Sequence, residues 1–526
     1  MIRIREISLP PEHSEAQLAY EAARLLKIPA SKVRKLRLVR RSVDARKKPE
    51  VRIVYTVDVE VAGSEQKILK QSSCKRAQIA KPLVYRVPRV SAAPAVRPVV
   101  VGFGPAGMFA ALVLALAGLR PLVLERGEDA RTRQEKVARF FQTGELDTKS
   151  NVQFGEGGAG TFSDGKLNTG VNNPRIPWIL EQFVAAGAKE DILFDAKPHV
   201  GTDVLVTVVQ NLRKRIESLG GEIRFGVQVT GLHREDGHIA GVQIHGGETI
   251  PCRRVILAIG HSARDTFAML EELGIPMEAK PFAMGVRVEH LQSAIDKAQY
   301  GCTDPVLPPA DYKLVRHLEG RSVYTFCMCP GGYVVAAASE EGRVVTNGMS
   351  YVNRSGENAN AALLVSLNPA DFPEEGVLAG MRWQRRIEEA AYRAGGGGYR
   401  APAQRIGDFL NHKPSEGPGK VRPTYRPGVT WCDLHTVLPE VITQALEKAL
   451  PLMEENLPGF ADGDGVLTAS ETRSSSPVRI LRGEDRQSAL RGLYPAGEGA
   501  GYAGGIMSAA IDGMLCAEAM IAELNG

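Results

Sequence analysis

The run VVVGFGPAGMFAALVLALAGLRPLVLERG, which begins at Val99, constrains the fold more than any other part of the sequence. Three glycines spaced Gly102-x-Gly104-x-x-Gly107 follow an all-apolar strand and precede an apolar helix. In this context the first glycine permits a tight turn, the second lets the backbone approach a pyrophosphate, and the third lets the helix pack on the sheet. The pattern predicts the first strand, turn and helix of a Rossmann-like α/β domain that binds a dinucleotide.

The residues around this turn support the same interpretation. Pro105 falls in the first helical turn, where its missing N–H has no consequence, and Ala106 follows it. The free N–H groups and the positive dipole of a helix N-terminus favour a phosphate. Glu125 ends the second strand, where its carboxylate can accept hydrogen bonds from a ribose diol and would repel a 2′-phosphate. The sequence therefore disfavours NADP at this site.

Two features favour FAD over NAD in the first part of the domain. Glu125-Arg126-Gly127 resembles the E-R-G that closes this unit in glutathione-reductase-like flavoproteins. The segment VILAIG, which ends at Gly260, resembles the second strand-turn element that lies beside the dinucleotide in the same superfamily. The resemblance implies that Arg126 and Gly260 help to bind FAD.

The carboxyl-terminal run LYPAGEGAGYAGGIMSAAIDG is the third such feature. In flavoproteins of this kind the equivalent strand usually ends in Gly-Asp, whose acid binds a ribityl hydroxyl, and the following helix N-terminus faces the flavin pyrimidine ring. Glu498 stands here in place of the aspartate, whereas the glycines before the helix match the pattern. The residues that this resemblance assigns to FAD are Gly497, Glu498, Gly504, Gly505 and Ile506.

Several further blocks resemble a bacterial family of largely uncharacterised FAD-dependent dehydrogenases. They run through nearly the whole chain: SVDARKK (42–48), VQFGEGGAGTFSDGKL (152–167), PFAMGVRVEH (281–290), FCMCPGGYVV (326–335), ETRSSSPVRI (471–480) and the terminal GEGAGYAGG. The resemblance implies FAD binding and an oxidoreductase fold. It supplies no substrate.

Three side chains are candidates for substrate or flavin contacts. The glycine-rich block at 155–166 can bring backbone N–H groups against the cofactor at Gly158, and Lys166 can donate hydrogen bonds there. Arg287 either pairs with Glu289, which alternates onto the same strand face, or anchors an anionic substrate group. Arg473 lies close in sequence to the terminal flavin element and could hold a carboxylate. We expect Arg473, Arg287 and Lys166 to be the catalytic residues.

The cysteines and histidines are expected to carry less chemistry. Cys327 and Cys329 fall on one face if their segment is a regular strand. Adjacent thiols suggest redox exchange with flavin as one alternative, but we interpret them as inert, because buried cysteines usually behave as small hydrophobes, and two cysteines alone are too few for zinc. His261, directly after Gly260, is a candidate proton donor, but we expect it at the surface. No metal site is predicted.

Charge and composition divide the chain into a basic module and a mildly acidic body. Residues 1–90 hold 21 Lys and Arg against 9 Asp and Glu, whereas the remainder holds 44 against 51. Residues 1–60 predict a β-α-β-β order, 87–98 a linker, and 395–428 an irregular surface segment. The expected architecture is therefore a discontinuous FAD-binding domain (97–270 and 481–526), an inserted α+β substrate domain (271–480) and a small α+β domain (1–90).

The favoured function is an FAD-dependent oxidoreductase that transfers a hydride between flavin and a small anionic molecule. No second GxGxxG follows a strand, so flavin reduction would come from the substrate or from transiently bound NAD(P)H. The alternative is a flavoenzyme that acts on RNA, because the alternating charges of 32–41 would make one strand face basic. A third interpretation keeps FAD as a structural or sensing ligand.

The sequence also carries expectations about location. The uncharged stretch from Val99 to Leu119 is long enough to span a bilayer, but its glycine turn favours a buried strand and helix. The amino terminus lacks an apolar h-region, and seven scattered cysteines do not form a disulfide framework. We expect a cytoplasmic protein without membrane contact.

Overall fold

The computed structural model describes residues 1–72, 74–81, 83–92, 94–170, 172–302 and 306–526. Its strands, in chain order, are β1 (Ile2–Leu9), β2 (Val33–Asp44), β3 (Arg52–Val61), β4 (Ala77–Ile79), β5 (Val99–Val101), β6 (Leu122–Leu124), β7 (Glu222–Arg224), β8 (Val229–Glu235), β9 (His238–Ile244), β10 (Thr249–Pro251), β11 (Val255–Leu257), β12 (Met277–Ala279), β13 (Phe282–Leu291), β14 (Val315–Leu318), β15 (Arg321–Cys329), β16 (Tyr333–Ala336), β17 (Thr346–Met349), β18 (Asn358–Leu367), β19 (Ala401–Arg405), β20 (Val429–Trp431), β21 (Val466–Glu471), β22 (Val478–Ile480) and β23 (Leu493–Pro495).

The α-helices lie between and after these strands. They are α1 (Glu15–Leu25), α2 (Glu65–Ser72), α3 (Pro105–Leu116), α4 (Ala130–Thr143), α5 (Arg175–Ala185), α6 (Thr202–Ser218), α7 (Arg264–Glu272), α8 (Gln292–Tyr300), α9 (Ala379–Ala394), α10 (Ile406–Leu410), α11 (Glu440–Glu454) and α12 (Ile506–Asn525). In the described part of the chain, no helix combines the length and apolarity needed to cross a bilayer.

The predicted strand-turn-helix lies at the centre of a five-stranded parallel sheet of order β23-β11-β5-β6-β7. Its strands are short and wholly apolar at β5, β6 and β11 because both faces of a parallel sheet are covered. Helix α3 is buried along Ala106–Ala115, and α12 packs against it. The Rossmann-like α/β prediction is confirmed, and β23 shows that the sheet takes its last strand from the end of the chain.

A seven-stranded sheet of order β14-β15-β18-β13-β21-β19-β20 comes from residues between β11 and β23. Strand β13 is its centre, with nine of its ten residues buried, and it pairs antiparallel with both β18 and β21. The strand-rich expectation for 280–350 is confirmed. Strand β12 precedes the sheet along the chain and β22 follows it. Since these two strands pair with each other, the two connections to the seven-stranded sheet lie side by side. The boundaries of the predicted domains stay predictions.

The basic module contains the predicted β-α-β-β order as β1, α1, β2 and β3, in a sheet of order β2-β3-β1-β4. Strand β2 pairs only with β3 among the described strands of this sheet, and it exposes Arg34, Lys35, Arg37 and Arg40. Arg41 on the same strand binds Asp195 of the body through two hydrogen bonds of 2.7 and 2.9 Å. The RNA alternative stays a prediction that rests on the four exposed cations.

Two local predictions are wrong. The segment 395–428 is not wholly irregular, because it contributes β19 and α10, and Ala401 and Ala403 of β19 are fully buried in the seven-stranded sheet. Pro451 does not interrupt its helix, since α11 continues past it to Glu454. In both places burial of apolar side chains outweighs the local preference of glycine and proline.

Candidate functional site

Glycines from separate segments meet at the carboxyl ends of the parallel strands. A Cβ at Gly102 would overlap the carbonyl oxygen of Ala258 beyond β11, and a Cβ at Gly107 would overlap that of Gly102. A Cβ at Gly499 would lie 2.5 Å from the carbonyl oxygen of Gly260. These approaches require glycine, and they bring the fingerprint, the turn after β11 and the turn after β23 together as the sequence predicted.

The glycine-rich block covers the same edge from the other side. A Cβ at Gly158 would lie 3.0 Å from Cα of Gly104, and one at Gly160 would lie 3.1 Å from Cγ1 of Ile506, the first residue of α12. Gly158 and Ile506 therefore lie beside the fingerprint. Pro105 also lies against this block, since its ring atoms would be 3.7 Å from a Cβ at Gly158 and from one at Gly160.

Four predicted positions face open space instead. A Cβ at Gly104 would meet nothing closer than 3.7 Å, and Cβ atoms at Gly260, Gly504 and Gly505 would meet no described atom within 4 Å. Gly104 caps α3, so the unpaired N–H groups of the first helical turn point into this space. A cradle of open glycines at helix N-termini fits the pyrophosphate and the flavin of FAD.

Glu125 is buried and already accepts three backbone hydrogen bonds. Its carboxylate accepts the N–H of Phe103 at 2.7 Å, that of Gly127 at 2.9 Å and that of Gly155 at 3.0 Å. It therefore joins the fingerprint to the glycine-rich block, a role the sequence did not reveal. The ribose contact stays a prediction for the remaining lone pair. Arg126 binds Asp265 at 3.0 Å and lies over the ring of Phe154.

We expect Glu125→Ala to lower both FAD content and the stability of the FAD-free protein. The substitution leaves three buried N–H groups without an acceptor, at about 1–3 kcal/mol for each unsatisfied group. Urea unfolding of the apoprotein and its visible spectrum check the two effects. Glu125→Gln keeps an acceptor oxygen, so its FAD content and its stability should lie between those of the wild type and those of Glu125→Ala. An apoprotein of unchanged stability would contradict the structural role.

Arg133 was missed by the sequence analysis and anchors the glycine-rich block. Its fully buried guanidinium donates to the carbonyl oxygens of Asn151, Val152, Glu156 and Gly158 at 2.7–2.9 Å. Burial is the main reason that the pKa of Arg133 falls to about 9. No sequence signal distinguishes this arginine from its neighbours on α4, because all its acceptors are main-chain atoms.

The predicted catalytic residues occupy different environments. Lys166 lies 4.0 Å from Asp164, and its buried Nζ has no hydrogen-bond partner among the described residues. Arg287 is fully buried and bonds Asn360 at 2.8 Å, Glu471 at 3.3 Å and the carbonyl oxygen of Cys327 at 2.6 Å. Lys166 keeps a free donor, so its catalytic role stays a prediction. Arg287 is enclosed by protein atoms, and we correct its predicted substrate contact to a positioning role.

Glu289 is not the partner of Arg287. Its carboxylate accepts hydrogen bonds from Thr424 and Asn358 instead, with Thr424 Oγ1 at 2.6 Å and Asn358 Nδ2 at 3.0 Å.

Arg473 is saturated by protein groups. Its Nε and Nη2 bind Glu388 at 2.9 and 2.8 Å, Nη2 also binds Glu340 at 3.1 Å, and Nη1 donates to Ser339 at 2.5 Å. The side chain is 2% exposed. The prediction that Arg473 orients the substrate is therefore corrected: each guanidinium nitrogen already has a partner, which gives this residue a structural role.

Arg264 lies in the same region as Arg473, and no sequence motif predicted a role for it. It is 4% exposed, and none of its three guanidinium nitrogens has a hydrogen-bond partner among the described residues. Burial, followed by the charge of Arg473, lowers the pKa of Arg264 to about 9. Glu388 and Glu340 act in the opposite direction. The residue begins α7, four positions after the open glycine at 260.

His261 lies between Arg264 and the terminal glycine turn. It is 9% exposed, so the expectation of a surface histidine is wrong. Its Nε2 lies 3.7 Å from Glu498, and its buried Nδ1 has no partner in the described part of the chain. Burial, aided by the positive charges of Arg264 and Arg473, lowers the pKa of His261 to about 3. The imidazole is therefore neutral at pH 7.

Glu498 occupies the position predicted to face the ribityl chain. Its Oε2 accepts the N–H of Gly505 at 3.3 Å, and burial raises its pKa to about 7. Gly497 adopts a left-handed conformation and donates its N–H to Asp512 at 2.8 Å. These contacts hold the terminal turn against α12, and the ribityl contact of Glu498 stays a prediction.

Comparison with known families agrees with a flavin site. The sequence profile described as "FAD-dependent protein, C-terminal domain-like" matches residues 281–474. A second profile, "Flavin containing amine oxidoreductase", matches residues 179–293. Residues 1–60 match a domain of unknown function.

Among similar proteins, an uncharacterised protein of Clostridium beijerinckii is 43% identical over 534 residues, covering 100% of this chain and 99% of that protein. A probable electron transfer flavoprotein-quinone oxidoreductase of Escherichia coli is 29% identical over 196 residues, 36% of this chain and 42% of that protein. The crystal structure of a geranylgeranyl bacteriochlorophyll reductase-like protein from Thermoplasma acidophilum covers 81% of this chain and 79% of its own, with 14% identity and a TM-score of 0.33.

Proposed function

Since the chain belongs to the family of FAD-dependent oxidoreductases that includes the Clostridium beijerinckii protein, we propose that it transfers a hydride between FAD and a small anionic organic molecule. The bound FAD supplies the two-electron chemistry. The fingerprint, the glycine-rich block and the terminal turn would hold it. The chain's own residues then have to bind the second reactant and exclude water.

The buried guanidinium of Arg264 is the observation that supports an anionic reactant. Removing a charged group from water without a partner costs several kcal/mol, so buried charges in proteins are paired or hold a ligand. Among the described residues, the three guanidinium nitrogens of Arg264 have no hydrogen-bond partner, whereas each of those of Arg473 nearby has one. A planar guanidinium matches a carboxylate or a phosphate through two parallel hydrogen bonds. An oxyanion at Arg264 would complete its hydrogen bonding.

The surroundings of Arg264 favour a reactant beside the cofactor. His261 precedes Arg264 by three residues, and its Nε2 lies 3.7 Å from Glu498, which accepts a hydrogen bond from Gly505 at the N-terminus of α12. A neutral His261 offers either a donor or an acceptor at Nδ1. An anion held by Arg264 would therefore lie next to the terminal turn, at the side where the flavin ring is expected. Transiently bound NAD(P)H would also be an anionic reactant, so the proposal of an anion at Arg264 covers it as well.

We expect Arg264→Met to keep FAD and to lose affinity for anions. Acetate and inorganic phosphate serve as probes, and their binding is followed through the flavin absorption spectrum at constant ionic strength. Loss of a buried bidentate partner should weaken probe binding at least about 10-fold. Arg253→Met, a half-exposed control whose Nη1 lies 3.4 Å from Glu235, should bind probes as the wild type does.

Two other outcomes would count against the proposal. If Arg264→Met is purified without FAD while Arg253→Met retains it, Arg264 holds the pyrophosphate of the cofactor and no longer supports an anionic reactant. If probe affinity is the same in all three proteins, no anion binds at Arg264. The apoprotein of Arg264→Met should be at least as stable as the wild type, because an unpaired buried charge is removed.

A further inference from the structure

Strand β15 breaks its regular pairing at the two cysteines. Phe326 pairs with Ala362 and Cys329 pairs with Asn360, so two residues of β15 oppose a single residue of β18. Cys327 lies within this bulge and has a φ of 43°, in the left-handed region that few non-glycine residues adopt. Bulges and strained residues of this kind occur preferentially at functional sites, where they redirect a side chain.

The bulge changes the relation between the two thiols. Two residues of a straight strand span about 6.7 Å, at the upper limit of the Cα separation that a disulfide permits. A bulge bends the strand at this point. Sγ of Cys329 lies 3.3 Å from the carbonyl oxygen of Cys327, and Cys329 is fully buried whereas Cys327 is half-buried. Cys327 is therefore the more exposed residue of the two.

Arg287 fixes this arrangement. Its Nη2 donates to the carbonyl oxygen of Cys327 at 2.6 Å and lies 3.4 Å from Sγ of Cys329. Glu471 and Asn360 hold the rest of the guanidinium. A fully buried ion pair thus holds the backbone of the bulge, which an inert pair of core cysteines would not need.

Several charged groups face Cys327 from neighbouring elements. The hydrogen bond from Cys329 is the main cause that lowers the pKa of the Cys327 thiol, and the charges of Lys166 and Arg287 act in the same direction. Burial and the carboxylate of Asp164 oppose them. The same contact raises the pKa of Cys329.

The charge of Cys327 also affects the pKa of two buried carboxyl groups. The pKa of Glu471 and that of Glu498 are both raised to about 7, mainly by burial, with Cys327 contributing in each case. Lys166 has its Nζ buried and unpartnered among the described residues. A positive charge that lowers the pKa of a thiol, as the charge of Lys166 does for Cys327, belongs to the environment of a reactive rather than a structural cysteine.

We propose that Cys327 is the attacking thiolate and Cys329 the resolving thiol of a dithiol that reduces small disulfides. The Cys327 sulfur attacks one sulfur of the disulfide, whose S–S bond breaks to release the first thiolate. Cys329 then attacks the Cys327 sulfur, so that the Cys327–Cys329 bond forms, the mixed disulfide bond between Cys327 and the substrate breaks, and the second product leaves as a thiol with the proton of Cys329. The two electrons gained by the substrate come from the two thiols, and this step is independent of the anion site at Arg264.

The experiment uses the full-length protein as purified, reacted without oxygen with 5,5′-dithiobis(2-nitrobenzoic acid) at pH 6.5. An ordinary thiol is about 1% ionised at this pH, whereas the lowered pKa leaves Cys327 largely ionised. After allowing for the lower nucleophilicity of a weaker base, Cys327 should react about 2–4-fold faster than an ordinary thiol. The wild type should release two coloured thiolates for each reagent molecule consumed in the fast phase. Peptide mass spectrometry should then find Cys327 bonded to Cys329.

The variants separate the two roles. Cys327→Ser should lose the fast phase, and Cys329→Ser should release one thiolate and keep a stable mixed disulfide on Cys327. Cys252→Ser removes a buried thiol whose pKa is raised to about 12 by burial, and it should match the wild type. A fast phase that survives Cys327→Ser, or two thiolates released by Cys329→Ser, would overturn the proposal.

A second measurement does not depend on the folding of any variant. Alkylation of the wild type by iodoacetamide across pH 5–9, quantified for each cysteine peptide, should give Cys327 a midpoint below that of the other accessible cysteines. A midpoint for Cys327 near the usual value of about 8.5 would refute the attacking role.

Discussion

Replacement of Gly104 by valine is expected to give folded protein that is colourless because it binds no FAD. A Cβ at this position meets nothing closer than Cα of Gly158 at 3.7 Å, so the polypeptide itself can accept the side chain. The added methyl groups would instead fill the space in front of the first turn of α3, where the pyrophosphate has to approach the helix N–H groups. The absorption of the purified protein above 400 nm measures the loss.

The control for this variant is Gly417→Val, since no described atom lies within 4 Å of a Cβ there and Gly417 has no positive φ. It should retain the flavin of the wild type. Gly107→Val should behave differently from both, because its Cβ would overlap the carbonyl oxygen of Gly102 and disturb the turn itself. A Gly104→Val protein with full flavin content would mean that the cofactor does not use this turn.

The parts of the site that the sequence predicted are those in which local backbone geometry determines the residue. Gly102 and Gly107 must be glycine because main-chain atoms approach them, and this requirement appears as a fixed spacing within one short segment. The order of strand, helix and strand around them follows from apolar runs of the right length. Pattern and geometry are both local here, so the fold around the turn could be predicted from the sequence.

The parts that the sequence missed depend on partners that are distant along the chain. Both Arg473 and Arg264 are buried arginines, but only the structure distinguishes them. Arg473 donates hydrogen bonds to Glu388 of α9, whereas the guanidinium of Arg264 has no hydrogen-bond partner among the described residues. Which arginine is satisfied is decided by packing between elements, which periodicity does not encode. The bulge at Cys327 is similar, because the register between β15 and β18 sets it and a strand pattern predicts regular alternation.

The second large effect that we expect is a loss of stability when Arg473 is replaced. Arg473→Ala should lower the stability of the region around α9 by about 3–5 kcal/mol, the usual consequence of removing one member of a buried ion pair. Glu388, which is fully buried, would lose both hydrogen bonds that Arg473 donates and keep only the one from Thr472 at 2.7 Å. Trp383 is buried on the same helix, so its fluorescence during urea unfolding reports this region.

The pH dependence of this loss has a definite sign. Burial by itself would raise the pKa of Glu388, but the charge and hydrogen bonds of Arg473 outweigh it and lower the pKa in the folded protein. The pair therefore stabilises the wild type above the unfolded pKa of about 4.3, and this contribution disappears as the pH falls through the folded value. Without Arg473 the folded pKa is raised instead, so the variant should be weakest relative to the wild type at pH 7–8 and closest to it near pH 5.

Two controls separate this structural role from a contact with substrate. Adding Glu388→Gln to Arg473→Ala removes the orphaned charge and should recover part of the lost stability, whereas Arg491→Ala breaks the half-exposed pair with Asp485 and should change stability by no more than about 1 kcal/mol. If Arg473→Ala unfolds at the same urea concentration as the wild type but no longer binds acetate or phosphate, the anion is held by Arg473 and not by Arg264. The stability of one variant and the anion affinity of the other therefore decide which of the two neighbouring arginines supports the fold and which binds the reactant.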